Sequence, residues 1–341
     1  MIIIIMIVAV SFVAFFAANA MLKRTNWYKN QYCLSEDIIA SKSMTQLDFV
    51  NVGSNPARFG FNYEGLKGVN LSTGTQGLDY DLKLLKEYGN CLKPGGVVFI
   101  PLVPFTSISA YLDDKMSVGY HAKFTRLLSK ETFNNDKRYI KASLLNKFPL
   151  WFNKRALLRL LKDVRPDNRL NIDSPLMKTE EEWEKDSKRW MKCWTDEFYI
   201  KDIEAPLTSD MMICREKSIE YLKELINYVR SRGWKPVVVS PPISPALAKK
   251  YNSRVKDIYL DSYTKAIEDT NVLYLDFTYD MMFTENDFQN ALFLNKRGAQ
   301  LFTKELVERV GGNTAFLVFL LVNTHDRYEI EHNVERFRLV A

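Results

Sequence analysis

The chain opens on 22 residues without a charge, and this limits what it can be. Residues 1–18 read MIIIIMIVAVSFVAFFAA, with Ser11 as the only hydroxyl, and Asn19, Ala20, Met21 and Leu22 extend the stretch to Lys23. At about 1.5 Å per residue this gives roughly 33 Å of helix, enough to cross a hydrocarbon core of ~30 Å. Lys23 and Arg24 stop the run, and Trp27 and Tyr28 behind it suit the headgroup level. Ala18-Asn19-Ala20 has the small-x-small form of a signal cleavage site. Cleaved signals, however, carry a positive n-region and a shorter apolar core of about 7–15 residues. The expectation is a single membrane-spanning helix over 1–22, projecting from whatever follows. The positive-inside rule, applied to Lys23, Arg24 and Lys29, puts the remainder on the cytoplasmic side.

That remainder exceeds 300 residues, long for one domain but within the range of α/β domains carrying insertions. An apolar content of 47% with 21 Phe is ample for a large core. The net charge of +6 is modest for the length and does not suggest a nucleic-acid binder. Cys33, Cys91, Cys193 and Cys214 have neither CxxC nor metal-ligand spacing, so no metal or cofactor is expected.

Apolar, β-branched runs at Leu47–Val52, Val97–Val103, Pro236–Ser240 and Val272–Asp276 alternate with helical patterns. The helices are expected at Gln76–Tyr88, Arg215–Arg232, Ser253–Asp269 and Lys296–Val310, with Gly95-Gly96 and Gly233 as helix-to-strand stops. This rhythm predicts an α/β three-layer sandwich with a parallel sheet, spanning 45–310. The stretch from about 105 to 214 breaks the rhythm and reads as a helical insertion. Residues 120–165 carry 12 Lys or Arg against three acids, and WFNKRALLRLLK at 151–162 would form a basic amphipathic helix. Such a helix packs its apolar side on the sheet layer or lies on an anionic surface; the first is expected. Residues 311–341 form a C-terminal extension, with an added strand at Ala315–Val322.

The first strand ends in the turn Asn51-Val52-Gly53-Ser54-Asn55-Pro56. Ligands of open α/β sheets bind beyond the carboxyl ends of strands, so Ser54 stands where a nucleophile belongs. Gly53 permits a tight turn, and a following helix start would offer N–H groups to a developing oxyanion. A plain turn serine has the same local sequence.

VNVGSNPARFGFNY resembles the first block of SGNH (GDSL-type) esterases and acyltransferases, a fold of flavodoxin-like layout. The nearest members are those related to teichoic-acid D-alanyl transfer and polysaccharide O-acetyl transfer. NLSTGTQGLDYDLKLLKEY is similar to the next block, FQNALFLNKRGAQLF to the last, and VVFIPL and KPVVVSPP to core strands between. The resemblance implies Ser54 as nucleophile and Gly74, or in reserve Gly77, at the oxyanion hole. It also implies an extracytoplasmic domain acting on a surface polymer, with a membrane-bound acyltransferase as possible partner.

The last block departs from the family pattern at its catalytic dyad. Aligning Leu294-Asn295 and Gly298-Ala299 puts Asn290 at the Asp position and Phe293 at the His position. Phenylalanine accepts no proton, so the base that should activate Ser54 is missing there. The family's oxyanion-hole Asn has no clear counterpart after Val97–Val103. His121 falls in the insertion, and His325 and His332 in the C-terminal extension. Asp276 ends a predicted strand and Asp287 sits just before the last helix; either carboxylate is a candidate neighbour of Ser54, and Asp276 is more readily a structural cap or pair. Two functions stay open: an ester hydrolase or O-acyltransferase using Ser54, and a catalytically silent relative that binds a polymer or partner through the old cleft.

Overall fold

Val97-Val98-Phe99-Ile100 and Val237-Val238-Val239 are β-branched or aromatic with no polar alternation, which suits strands covered on both faces. They form the centre of a five-stranded, wholly parallel sheet. Its strands are β1 (Leu47–Asn51), β2 (Gly68–Asn70), β3 (Leu92–Pro101), β4 (Lys235–Ser240) and β5 (Leu273–Asp276), in the order β2-β1-β3-β4-β5. The computed structural model describes residues 2–25, 28, 36–112, 118–133, 137–152 and 178–311.

Alternate strand residues feed two separate cores, one on each face. Val50, Val98, Ile100 and Val238 join Leu82 and Leu85 of α3 (Leu78–Tyr88) and Leu222, Leu225 and Val229 of α7 (Ser209–Ser231). Val97, Phe99, Val237 and Val239 join Trp183 and Trp194 of α6 (Glu180–Glu197) and Phe302 and Leu306 of the last helix, α9 (296–311). Two helical layers enclosing one sheet make the three-layer α/β sandwich. Each fully buried aliphatic or aromatic side chain contributes about 1.5–3 kcal/mol to holding the layers together.

Several boundaries differ from the sequence expectation for physical reasons. β2 escaped notice because it has three residues and only Val69 is buried. Gly95-Gly96 does not end a helix: it lies inside β3, where pairing with β1 slips from Leu47↔Leu92 to Phe49↔Val97, a bulge. Gly233 does follow a helix, donating its N–H to Arg230 O. The helix expected over Ser253–Asp269 stops at Lys265 and carries a π turn at Asp257–Asp261; we label it α8.

The crossover from β3 to β4 holds the helical insertion. It includes α4 (Val118–Phe124), α5 (Lys137–Lys147) and α6, followed by α7. α4 and α5 pack through Ala122, Ala142 and Leu145. The basic helix over 151–162 beyond Phe152, the strand at Ala315–Val322, Cys33, His325 and His332 lie outside the described residues.

The N-terminal helix α1 (Ile2–Arg24) has a mean hydropathy of 2.7 over its most apolar stretch and is long enough to span a membrane. Its early turns are exposed, whereas Asn19 and Leu22 near its end are buried against the insertion. The helix therefore projects only in part.

Candidate functional site

In the strand order β2-β1-β3-β4-β5 the chain changes direction across the sheet at β1 and β3. The carboxyl ends of those strands frame the crevice where such sheets hold ligands. A cavity of about 170 Å³ lies there. Its walls come from the turn after β1 (Gly53 to Pro56), the loop after β2 (Thr75 to Leu78, with Asp81) and the loop after β3 (Val103 to Thr106). The insertion closes it with Tyr120, Trp190, Trp194 and Phe198, and the loop before α9 adds Leu292 and Phe293.

The β1 turn is built by amides. Asn51 is buried and donates to Asn70 Oδ1 at 2.9 Å and to Ser72 Oγ at 2.8 Å. Asn70 in turn donates to the carbonyls of Ala57, Arg58 and Phe61, closing the end of α2 (Asn55–Gly60). Gly53 has φ +117°, and a Cβ there would meet Ala57 Cβ at 2.9 Å, so only glycine serves. Ser54 follows at the N-cap of α2, but its side chain makes no capping bond. Its hydroxyl borders the cavity and has no hydrogen-bond partner among the described residues.

Gly74 sits behind the cavity wall, close enough to Asn55 that a Cβ would fall 2.9 Å from Asn55 Oδ1. Gly77, the reserve position, lines the cavity and is the N-cap of α3. The loop after β3 supplies Thr106 and Ser109 to the cavity wall; Thr106 Oγ1 is occupied with the backbone of Val103. Two non-glycine residues of the wall are held at positive φ, Thr75 at 53° and Phe105 at 67°. For a bulky residue such as Phe105 this is a strained conformation, of the kind that gathers at functional sites. Its buried ring is clamped by Trp194, Phe198 and Tyr259.

Asp81 went unrecognised in the sequence. Its Oδ1 accepts the Gly53 N–H at 2.9 Å and the Gln76 amide at 2.6 Å; Gln76 Oε1 accepts the Thr73 N–H at 2.8 Å. No described group donates to Oδ2, and the residue lines the cavity. Burial pushes its pKa up to about 7; the Gln76 and Gly53 hydrogen bonds oppose the rise and Asp79 adds to it. The group is thus a carboxyl that changes charge near neutral pH, one residue from the Ser54 backbone. A signal existed: Asp81 occupies the i+3 place of the buried stripe Leu78, Leu82, Leu85, where an apolar residue is normal. Glu197, the other wall carboxyl, is also raised by burial.

The segment around Asn290, Phe293, Asn295 and Gly298 is built mainly by hydrogen bonds of backbone N–H groups. Asn295 Oδ1 accepts the Gly298 N–H at 3.0 Å, and its amide donates to Asn286 O at 2.7 Å. A Cβ on Gly298 would collide with the Asp287 carbonyl oxygen. Asn290 uses Oδ1 to accept the N–H groups of Leu292 and Phe293 at 3.0 and 2.9 Å, so it folds the loop. Asp186 of α6 fixes the same loop by accepting the Ala291 N–H at 2.7 Å. Phe293 borders the cavity, with its ring 4.9 Å from Phe59 and 5.0 Å from Trp190.

The other candidate groups are engaged elsewhere. His121 Nδ1 pairs with Tyr80 OH at 2.6 Å inside the core and is not among the cavity walls. Asp276 is held by Lys256 Nζ at 2.8 Å and accepts from the backbone and hydroxyl of Thr278. Asp287 Oδ2 accepts the N–H and hydroxyl of Thr284.

No family model and no curated protein matches the sequence. Among solved structures, protein YxiM from Bacillus subtilis aligns with a TM-score of 0.37 and 11% identity, over 80% of this chain. The chain spans 58% of that protein's length.

Proposed function

We propose that this chain is a membrane-anchored SGNH-type protein of the cell envelope whose Ser54 cleft binds an acyl-bearing surface polymer without ordinary esterase turnover. Phe293 carries this reading: an aromatic ring packed between Phe59 and Trp190 stands where the resembled family has its histidine base. Without a base the serine hydroxyl is a poor nucleophile, and loss of general-base help costs about 10²–10⁴-fold in rate. The wall of Phe105, Trp190, Trp194, Phe198 and Phe293, interrupted by hydroxyls and two carboxyls, suits a small group with one apolar face and several hydroxyls. The anchor favours a polymer or partner at the membrane surface, and the family resemblance favours the outer side.

A second reading has its own observation. Asp81 is a buried carboxyl that titrates near 7 beside Gly53, the range in which a general base works best. In that reading Asp81, acting directly or through a water, takes the Ser54 proton and the protein transfers or hydrolyses acyl groups. The experiment is the reaction of full-length protein in detergent with a fluorophosphonate and with short aryl esters. Background rates equal to those of Ser54→Ala support the silent cleft. Turnover that disappears in both Ser54→Ala and Asp81→Asn, with an inflection near pH 7, overturns it in favour of the second reading.

A further inference from the structure

The end of α1 is locked to the insertion. Asn19, buried, donates its amide to Phe15 O at 2.8 Å and accepts the Leu150 N–H on Oδ1 at 3.1 Å. The Phe148 ring lies 5.8 Å from that of Phe15 and 5.5 Å from that of Phe16. Tyr28 OH donates to Asn146 O at 3.2 Å, beyond the helix.

Depth follows from helix geometry. Phe15 precedes Lys23 by roughly 12 Å of helix rise. With Lys23 and Arg24 at the headgroups, the Phe15 and Phe16 rings reach acyl-chain depth, and Phe148 is carried there with them. If instead the bilayer ended before Phe15, residues 2–14 would offer only roughly 20 Å of helix to a ~30 Å core. Residues 148–150 therefore belong at the boundary of headgroups and acyl chains.

α5 presents an outer face that suits the same boundary. Ala142 and Leu145 point inward, while Ile140 and Leu144, one turn apart, are 56% and 41% exposed. Lys137, Lys141 and Lys147 are exposed beside them, and none has an acidic partner among the described residues. In water this face leaves two large aliphatic side chains wet, and Lys137, Lys141 and Lys147 without an acidic partner among the described residues. At a lipid surface the aliphatic groups enter the acyl boundary while the lysines reach the phosphates.

We propose that Ile140, Leu144 and Phe148, with Lys137, Lys141 and Lys147, form a second membrane contact that seats on an anionic phospholipid leaflet beside α1. The inference rests on α1 spanning a bilayer. Each lysine near such a surface is worth about a fivefold preference for the anionic leaflet.

The test uses full-length protein in nanodiscs of phosphatidylcholine with and without phosphatidylglycerol. Benzoylphenylalanine replaces Ile140, Leu144, Val8 or Met281 in turn, and photo-adducts are identified by mass spectrometry. Met281, 94% exposed on the loop after β5, is the solvent control. Lipid adducts at Ile140, Leu144 and Val8 but not at Met281 are expected, enriched in phosphatidylglycerol in the mixed discs. Adducts at Val8 with none at Ile140 or Leu144, or adducts there to protein in place of lipid, overturn the proposal and leave the anchor standing. Absence of adducts at Val8 overturns both. The triple variant Lys137→Glu, Lys141→Glu, Lys147→Glu should lose the phosphatidylglycerol enrichment at Leu144; unchanged enrichment removes the electrostatic basis.

Discussion

The rings of Phe293 and Phe59 stack with centroids 4.9 Å apart and planes inclined by 27°, which pins residue 293 to the helix that begins after Ser54. The loop before α9 is therefore held against α2 by this packing, and α9 itself by the hydrogen bond from the Asn62 N–H to Thr303 Oγ1 at 2.9 Å. Asn290 already accepts the Leu292 and Phe293 N–H groups through Oδ1, and an aspartate there keeps both bonds. The double variant Asn290→Asp, Phe293→His should gain Ser54-dependent hydrolysis of aryl esters by about 10²–10⁴-fold. A folded double variant with no gain over Ser54→Ala would show that the site lacks more than its base.

Asp81 should make the protein less stable as the pH rises. Its pKa is about 7 in the folded chain against an ordinary value near 4, so between these the native state keeps a proton that the unfolded chain has lost. Stability from this group is complete below pH ~4, declines through the interval, and is lowest above pH ~7; the full change is of order 4 kcal/mol. Asp81→Asn should flatten this slope and leave a higher midpoint of urea unfolding at pH 8 than the parent. Parallel curves for parent and variant across pH 4–8 would refute the assignment.

The sheet was legible because Val97–Ile100 and Val237–Val239 admit few alternatives to buried strands. β2 was not, since Gly68-Val69-Asn70 is too short to show a pattern and is held by Asn51–Asn70 pairing across the sheet. At the site, Ser54 could be picked out because a Gly-Ser turn follows a strand. The aromatic wall could not: Trp190 and Trp194 of α6 and Phe198 at its C-cap reach the cavity from over 130 residues downstream of Ser54, and nothing local marks which side chains the insertion turns inward. Asn295 and Gly298 could be read from the sequence as a pair because both serve the loop before α9. They shape the backbone, and that requirement is independent of chemistry.

Gly298 gives the simplest test of that separation. A Cβ there would collide with the Asp287 carbonyl oxygen, so Gly298→Ala must displace backbone and should cost about 2–4 kcal/mol. Thermal melting would register this; a melt within error of the parent would show that the loop yields freely.

Asp276 should behave as a structural residue. Lys256 and Thr278 hold it at the end of β5, and its side chain is about one-third exposed, so Asp276→Asn should cost about 1–2 kcal/mol. Its rate of Ser54 labelling by a fluorophosphonate should match that of the parent. A large change in labelling with stability intact would place Asp276 in the chemistry.

The hydrogen bond from the Leu150 N–H to Asn19 Oδ1 fixes how α1 is rotated about its own axis relative to the domain. A Gly/Ser tether would let a cleft sweep through a hemisphere of solution and sample chain segments at many distances. A docked helix removes that search. In a bilayer the molecule would glide in two dimensions with its opening at one constant altitude, meeting only what is presented at that level. Selection by height would then precede any selection by chemistry: a loose oligomer in bulk fluid gains nothing from the anchor, whereas a polymer rooted in the same leaflet is encountered again and again.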